Sequence, residues 1–97
     1  MTKLQKLPNP ATGLISDTLD HFSLTKATLA KACQVSGGLI SDTLSGKKRI
    51  STELALRFEL ALGIRAGLIL DLQQEHEIAI LRNQIIPKLE KDVATLV

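Results

Sequence analysis

The stretch that decides the fold is residues 26–44, which read KATLAKACQVSGGLISDTL. Its apolar pattern predicts two short helices joined by a tight turn at Gln34-Val35. Ala30 stands where the two helices would cross, and only a small side chain allows close approach there. Ser36 is a good N-cap for the second helix, because its hydroxyl can accept a hydrogen bond from a free amide of the first turn.

Capping residues and glycines place the remaining helices around this pair. Asn9-Pro10 is a typical helix start, Ser51 caps a helix that Gly63 ends, and Pro87 is expected to interrupt a long apolar pattern. No strand pattern competes, so the sequence predicts an all-α fold of five or six helices. The predicted helices are 10–20, Lys26–Cys33, 37–45, Thr52–Leu62, 66–86 and a short 88–96.

Length and composition limit the class of protein. The chain has 97 residues, enough for one domain, and aromatic residues make up only 2% of it. Phe22 and Phe58 are interpreted as core, and the lack of Trp and Tyr argues against a base-stacking platform for single strands. Cys33 is the only cysteine, which excludes an intramolecular disulfide. We find no signal-peptide or membrane-span pattern and expect a cytoplasmic protein without cofactor or metal.

Two adjacent helices of this kind can form a helix-turn-helix, in which the second helix enters the DNA major groove and the first crosses the backbone. The second helix begins with Gly37-Gly38. Glycine has no side chain to contact a base, but it can let the helix N-terminus approach a phosphate closely. Hydroxyl groups at Ser36, Ser41, Ser45 or Thr43 would then read the bases. The predicted outward positions of the second helix are Ser36, Gly37, Gly38, Ser41, Asp42 and Ser45.

The basic residues near this unit are expected to contact phosphates. Lys47, Lys48 and Arg49 follow the second helix, and Lys26 begins the first, where it should face the opposite strand. Asp42 would repel phosphate unless it faces a cytosine amino group or Lys47. The simpler alternative for the charge run is a solvated turn without a ligand.

At this point the sequence resembles the lambda-repressor-like (Xre) helix-turn-helix family, and more closely its HigA-type antitoxins. The resemblance covers residues 10–78, with Gln34 replacing the usual glycine of the turn. A left-handed non-glycine residue there costs about 1 kcal/mol, which is tolerable. The matching segments are TKATLA at 25–30, VS at 35–36, SGKKRI at 45–50, ALRF at 55–58, Gly63 and LDLQ at 70–73.

The resemblance implies a lambda-repressor-like fold and a repressor of its own operon that neutralises a small RNA-cleaving toxin. The candidate surfaces for binding such a toxin are the segments 1–7 and 88–97. A solitary Xre-type regulator and an interaction module that has lost DNA binding are the alternatives; Gly37-Gly38 and Asp42 favour the latter.

The apolar residues of 64–86 exceed what one helix face needs to cover a core. We therefore expect a homodimer that sets its two reading helices about 34 Å apart on a palindromic operator. The predicted domains are a flexible arm at 1–9, a DNA-binding unit at 10–63 and dimerisation helices at 64–97. The predicted interface residues are Leu68, Ile69, Leu72 and Ile80.

The sequence also contains a repeated heptapeptide and a few residue types that are common in active sites. The heptapeptide GLISDTL occurs at 13–19 and again at 38–44, which we interpret as two helices with the same face pattern. His76 lies between Glu75 and Glu77, but neighbours in sequence do not share a helix face. Neither it nor the isolated His21 nor Cys33 belongs to a catalytic or metal-binding motif, so we do not expect an enzyme.

Overall fold

A computed structural model describes residues 9–97, which form five α-helices and no strand. None of these helices combines the length and apolar character needed to cross a membrane. The predicted all-α class is confirmed. The predicted N-terminal arm lies outside the described residues except for Asn9. The helices are α1 (Pro10–His21), α2 (Lys26–Cys33), α3 (Gly37–Leu44), α4 (Thr52–Leu62) and α5 (Ala66–Asp92).

Polar side chains start the first four helices at the predicted places. Asn9 accepts a hydrogen bond from the amide of Ala11 at 2.9 Å, and Thr25, Ser36 and Ser51 each accept one from the amide three residues later. These bonds satisfy amides that have no partner inside the helix. The start of α5 is capped from another helix, since the Glu59 carboxylate accepts from the amide of Ala66 at 2.8 Å.

Left-handed residues end α2 and α4, as expected from the sequence. Gln34 has φ 56° and Gly63 has φ 74°. The C-terminal end of α2 gains a further partner, because Arg57 of α4 donates to the Cys33 carbonyl at 2.7 Å. The helix-turn-helix is thereby tied to α4.

All five helices contribute to one core, in which α5 contacts α1 and α4, while the α2–α3 pair contacts α4 through α2 and α1 through α3. Phe58 is fully buried in this core, as predicted. The prediction for Phe22 is wrong: this side chain is 62% exposed. It stands in the turn after α1, edge-on to the His21 ring at 4.8 Å. Ile15 and Leu19 take the inner face of α1.

The interruption predicted at Pro87 does not occur. Residue 87 lies inside α5, which continues to Asp92, so the expected sixth helix is the end of the fifth. A proline removes one helical hydrogen bond, to the carbonyl four residues earlier. Asn83 and Pro87 are both exposed, and water can therefore satisfy that carbonyl.

The two copies of the heptapeptide GLISDTL form helices that bury the same position of the repeat. Ile15 in α1 and Ile40 in α3 hold the same place in the repeat, and both are fully buried. The two helices also contact each other. The threonines differ, because Thr18 donates to the Leu14 carbonyl at 2.7 Å, whereas the buried Thr43 hydroxyl has no partner among residues 9–97.

Candidate nucleic-acid interface

Helix α3 turns one face to solvent, and most of the predicted reading positions lie on it. Ser36, Gly37, Gly38, Ser41 and Ser45 are exposed, and Asp42 is half-buried. The Ser36 hydroxyl is occupied as the N-cap, with the Leu39 amide donating to it at 3.0 Å. The suggestion that Thr43 reads bases is wrong, because its side chain is fully buried against the core.

The glycine pair at the start of α3 is not required by the packing of the chain. A Cβ added at Gly37 would meet nothing within 4 Å, and one added at Gly38 would meet only the Ser36 hydroxyl at 3.9 Å. Neither residue has a positive φ. The two glycines therefore leave an open, low surface at the exposed N-terminus of α3.

The segment after α3 folds back over the end of that helix. The amides of Lys47 and Lys48 both donate to the Asp42 carbonyl, at 2.8 and 3.1 Å, and Gly46 has φ 88°. Lys47 and Lys48 are both exposed in this segment, which directly follows α3 in the chain. Lys26 is also exposed, at the first residue of α2. Three predicted phosphate contacts are thus on the surface.

Gln73 fixes the far end of this basic segment to α5. Its side-chain oxygen accepts from the Ile50 amide at 2.6 Å, and its side-chain nitrogen donates to the Ile50 carbonyl at 2.8 Å. Both residues are buried. The sequence marked the LDLQ segment only through its resemblance, and the 23-residue separation hides this contact from any local pattern.

Arg49 points to α5 and is paired there with Glu77. Its Nε donates to Oε2 at 2.9 Å, and its Nη2 donates to Oε1 at 3.0 Å. These hydrogen bonds lower the pKa of the Glu77 carboxyl and raise the pKa of Arg49. The charge run at 47–49 predicted that Arg49 contacts a phosphate, and no sequence pattern indicated a role for Glu77. The charges lie 28 residues apart, so helical spacing could not have joined them.

A cleft of about 590 Å³ separates the start of α1, the basic segment and the middle of α5. The side chains of Lys48, Arg49, His76 and Glu77 all line it. Among residues 9–97, no three metal-ligating side chains come together. The Cys33 thiol is buried, and burial raises its pKa, which disfavours the nucleophilic thiolate.

The predicted dimer-interface residues are distributed unevenly. Leu68 is exposed, and Leu72 and Ile80 are half-buried. Ile69 is fully buried in the core of its own chain, so the prediction that it meets a second subunit is corrected. Helix α5 packs on α1 and α4, and Ile69 belongs to the buried cluster that these helices share.

Solved structures of other proteins share this five-helix fold over nearly the whole chain. The antitoxin HigA of Pseudomonas aeruginosa, solved with the higBA promoter, matches with a TM-score of 0.83 and 25% identity, over 94% of this chain and all of that one. A second Pseudomonas aeruginosa structure, solved with its operator DNA, matches with a TM-score of 0.82 and 25% identity, over 92% of this chain and 94% of that one.

An addiction module antidote protein of a HigA family from Coxiella burnetii has the same fold, with a TM-score of 0.79 and 23% identity over 90% of this chain and 95% of that one. No protein-family model matches the sequence, and no curated protein was found to be similar to it. The likeness is therefore carried by three-dimensional structure over nearly the whole chain.

Proposed function

Since this chain is a HigA-type protein of the Xre helix-turn-helix family, we propose that it binds double-stranded operator DNA and represses transcription. The observation that carries the proposal is the exposed outer face of α3, which is followed directly in the chain by the exposed Lys47 and Lys48. In a helix-turn-helix this face enters the major groove and flanking cations contact the backbone. The two Pseudomonas aeruginosa relatives were solved with promoter or operator DNA, which supports the same use here.

The proposed contacts divide into two kinds. Lys26, Lys47 and Lys48 contact phosphates, which gives affinity without sequence information. Ser41 and Ser45 read base edges from α3, where a hydroxyl discriminates less sharply than a bidentate arginine. Gly37 and Gly38 let the helix start approach the DNA backbone closely. Specificity then depends strongly on half-site spacing and on DNA shape.

We further propose that the chain acts as a homodimer, with residues 10–63 binding DNA and residues 64–97 joining the two copies. Helix α5 carries apolar side chains on its surface along most of its length, and a second copy would cover them. Two reading helices set about one DNA turn apart would then bind a palindromic operator. The exposed apolar residues are Leu68, Ile78, Leu81, Ile85 and Leu89.

The antitoxin role is the finer part of the proposal. The neutralised partner would be a small RNA-cleaving toxin, encoded beside this chain and controlled by the same operator. The support is that the relatives from Pseudomonas aeruginosa and Coxiella burnetii are an antitoxin and an antidote protein. Co-expression of this chain with the neighbouring reading frame tests it: growth arrest by that frame alone, and rescue by this chain, are expected.

Binding to the protein's own promoter tests the central proposal. We expect a fluorescence anisotropy titration to give tight binding to the promoter and weak, strongly salt-dependent binding to a scrambled duplex. Equal affinity for both duplexes would contradict operator recognition. Absence of binding to either would favour the alternative suggested by Gly37-Gly38 and Asp42, an interaction module that no longer binds DNA.

A further inference from the structure

We infer that Glu77 of α5 is a positioning residue for DNA binding, which holds Arg49 so that the free end of its guanidinium meets a backbone phosphate. The inference rests on the proposed DNA-binding function. It adds to that function a residue that lies outside the helix-turn-helix, on the helix expected to join the two subunits.

The geometry of the pair leaves the phosphate-binding end of Arg49 open. Glu77 occupies the side of the guanidinium formed by Nε and Nη2, at 2.9 and 3.0 Å. These are two of the five N–H donors of an arginine. The other three lie toward Nη1 and the end of the side chain, which is 64% exposed. A guanidinium held in this way can still donate two parallel hydrogen bonds to a phosphate.

Glu77 belongs to a frame that also holds the neighbouring backbone. Gln73 and Glu77 are four residues apart on α5 and therefore lie one above the other on the same face. Gln73 bonds the backbone of Ile50, and Glu77 bonds the side chain of the preceding residue, Arg49. Two successive turns of α5 thus fix two successive residues, which directly follow Lys47 and Lys48 in the chain.

Stability alone does not account for this pair. The Arg49 and Glu77 side chains are 64% and 37% exposed, and exposed ion pairs contribute little to the free energy of folding. An arginine that is already held loses less conformational freedom when it binds a phosphate. The opposite mechanism is competition, in which the Glu77 carboxylate binds Arg49 and keeps it from DNA. Competition predicts that removal of Glu77 strengthens DNA binding, whereas positioning predicts that it weakens it.

The experiment compares Glu77→Ala with Glu75→Ala, in the full chain, on promoter DNA across a range of KCl concentrations. Glu75 is exposed on the same helix, and its removal deletes the same negative charge without touching Arg49. We expect E77A to bind about fivefold more weakly than E75A, the upper range for an exposed charge pair. Its plot of log affinity against log salt should be flatter by at most about 0.9 per protomer, the full value expected for R49A.

Additional variants separate positioning from structural damage. The double variant R49A/E77A should bind no more weakly than R49A, because Glu77 acts only through Arg49. Glu77→Gln keeps the shape and one acceptor, so it should fall between the wild type and E77A. This variant also tests the inference if E77A fails to fold.

The possible outcomes separate the positioning role of Glu77 from the proposed DNA-binding function. Tighter binding by E77A than by E75A would show competition and overturn positioning. Equal binding by E77A and E75A, with a wild type that binds its promoter, would remove the inference and leave the proposed function intact. A wild type that binds no DNA would remove both.

Discussion

The side-chain amide of Gln73 makes two hydrogen bonds with the backbone of Ile50, one to its N–H at 2.6 Å and one to its carbonyl at 2.8 Å. Ile50 is buried in a segment without regular secondary structure, so its N–H and carbonyl have no helical or strand partner. The two hydrogen bonds from Gln73 take the place of those backbone partners. Because Ile50 directly follows the Lys47–Arg49 cations, the same contact fixes where those charges stand relative to α5.

Gln73→Leu should destabilise the protein strongly. The change leaves the buried N–H and carbonyl of Ile50 without partners, and each such group costs about 1–3 kcal/mol. We expect a decrease of about 2–4 kcal/mol in the free energy of unfolding, measured by urea denaturation. The control is Gln74→Leu at the exposed neighbouring position, which should change stability by less than about 0.5 kcal/mol. Similar decreases for both variants would contradict the role given to Gln73.

Replacing Lys47 and Lys48 together by Ala should weaken binding to promoter and scrambled DNA by the same factor. The lysines are expected to neutralise phosphates, so the salt dependence should also become flatter, by about 0.9 for each phosphate that is no longer neutralised. Salt titrations by fluorescence anisotropy measure both effects. Lys88→Ala with Lys91→Ala removes the same charge from the end of α5 and serves as control. A weakening confined to the promoter would assign base reading to these lysines instead.

Gly38→Ala should weaken DNA binding without destabilising the fold. An added Cβ has room in the free protein, its nearest neighbour being the Ser36 hydroxyl at 3.9 Å, but it would obstruct a phosphate at the helix start. The repeat supplies a matched control, since Gly13→Ala makes the same change in GLISDTL of α1, where a Cβ also meets nothing within 4 Å. Thermal unfolding should show both variants at least as stable as wild type. Equal promoter affinity for the two variants would argue against close approach at α3.

Leu81→Asp with Ile85→Asp should convert the proposed dimer to monomers. Both side chains are exposed on α5, and a charge buried without a partner in a subunit interface is strongly unfavourable. Sedimentation velocity at about ten micromolar protein would detect the change, together with weaker promoter binding. Leu60→Asp on α4 introduces a charge at another exposed leucine and should leave the dimer intact. A wild type that sediments as a monomer would count against the proposed assembly.

The Arg49–Glu77 pair should make stability fall in acid. The pKa of Glu77 is lower in the folded chain than in the unfolded chain, because Arg49 donates hydrogen bonds to its charged form. The pair's contribution is therefore present above the unfolded pKa of about 4.3 and is lost as the pH falls through the lower folded value. Denaturation at pH 6 and pH 3 should show a smaller acid-induced decrease in stability for Glu77→Gln than for Glu75→Gln. Identical decreases would mean that the pair does not persist in solution.

The local sequence determined most of the helices in this protein. Caps at Asn9, Thr25, Ser36 and Ser51 satisfy amides within the next few residues, so the start of each of these helices depends on neighbours in the chain. The ends at Gln34 and Gly63 are equally local. The resemblance to HigA-type antitoxins followed from the order and spacing of such segments. The prediction at residue 87 was wrong, because the cost of a missing helical hydrogen bond depends on whether water can replace it.

Only the tertiary structure decided how the basic segment is held and which apolar residues remain for a partner. Gln73 reaches Ile50 across 23 residues and Glu77 reaches Arg49 across 28, distances over which no helical or strand period relates two positions. Burial likewise depends on which helices meet: Ile69 is inside and Leu68 outside, although both are apolar neighbours. Hydrogen bonding within a helix is a property of nearby residues, whereas pairing between helices exists only once the chain has packed.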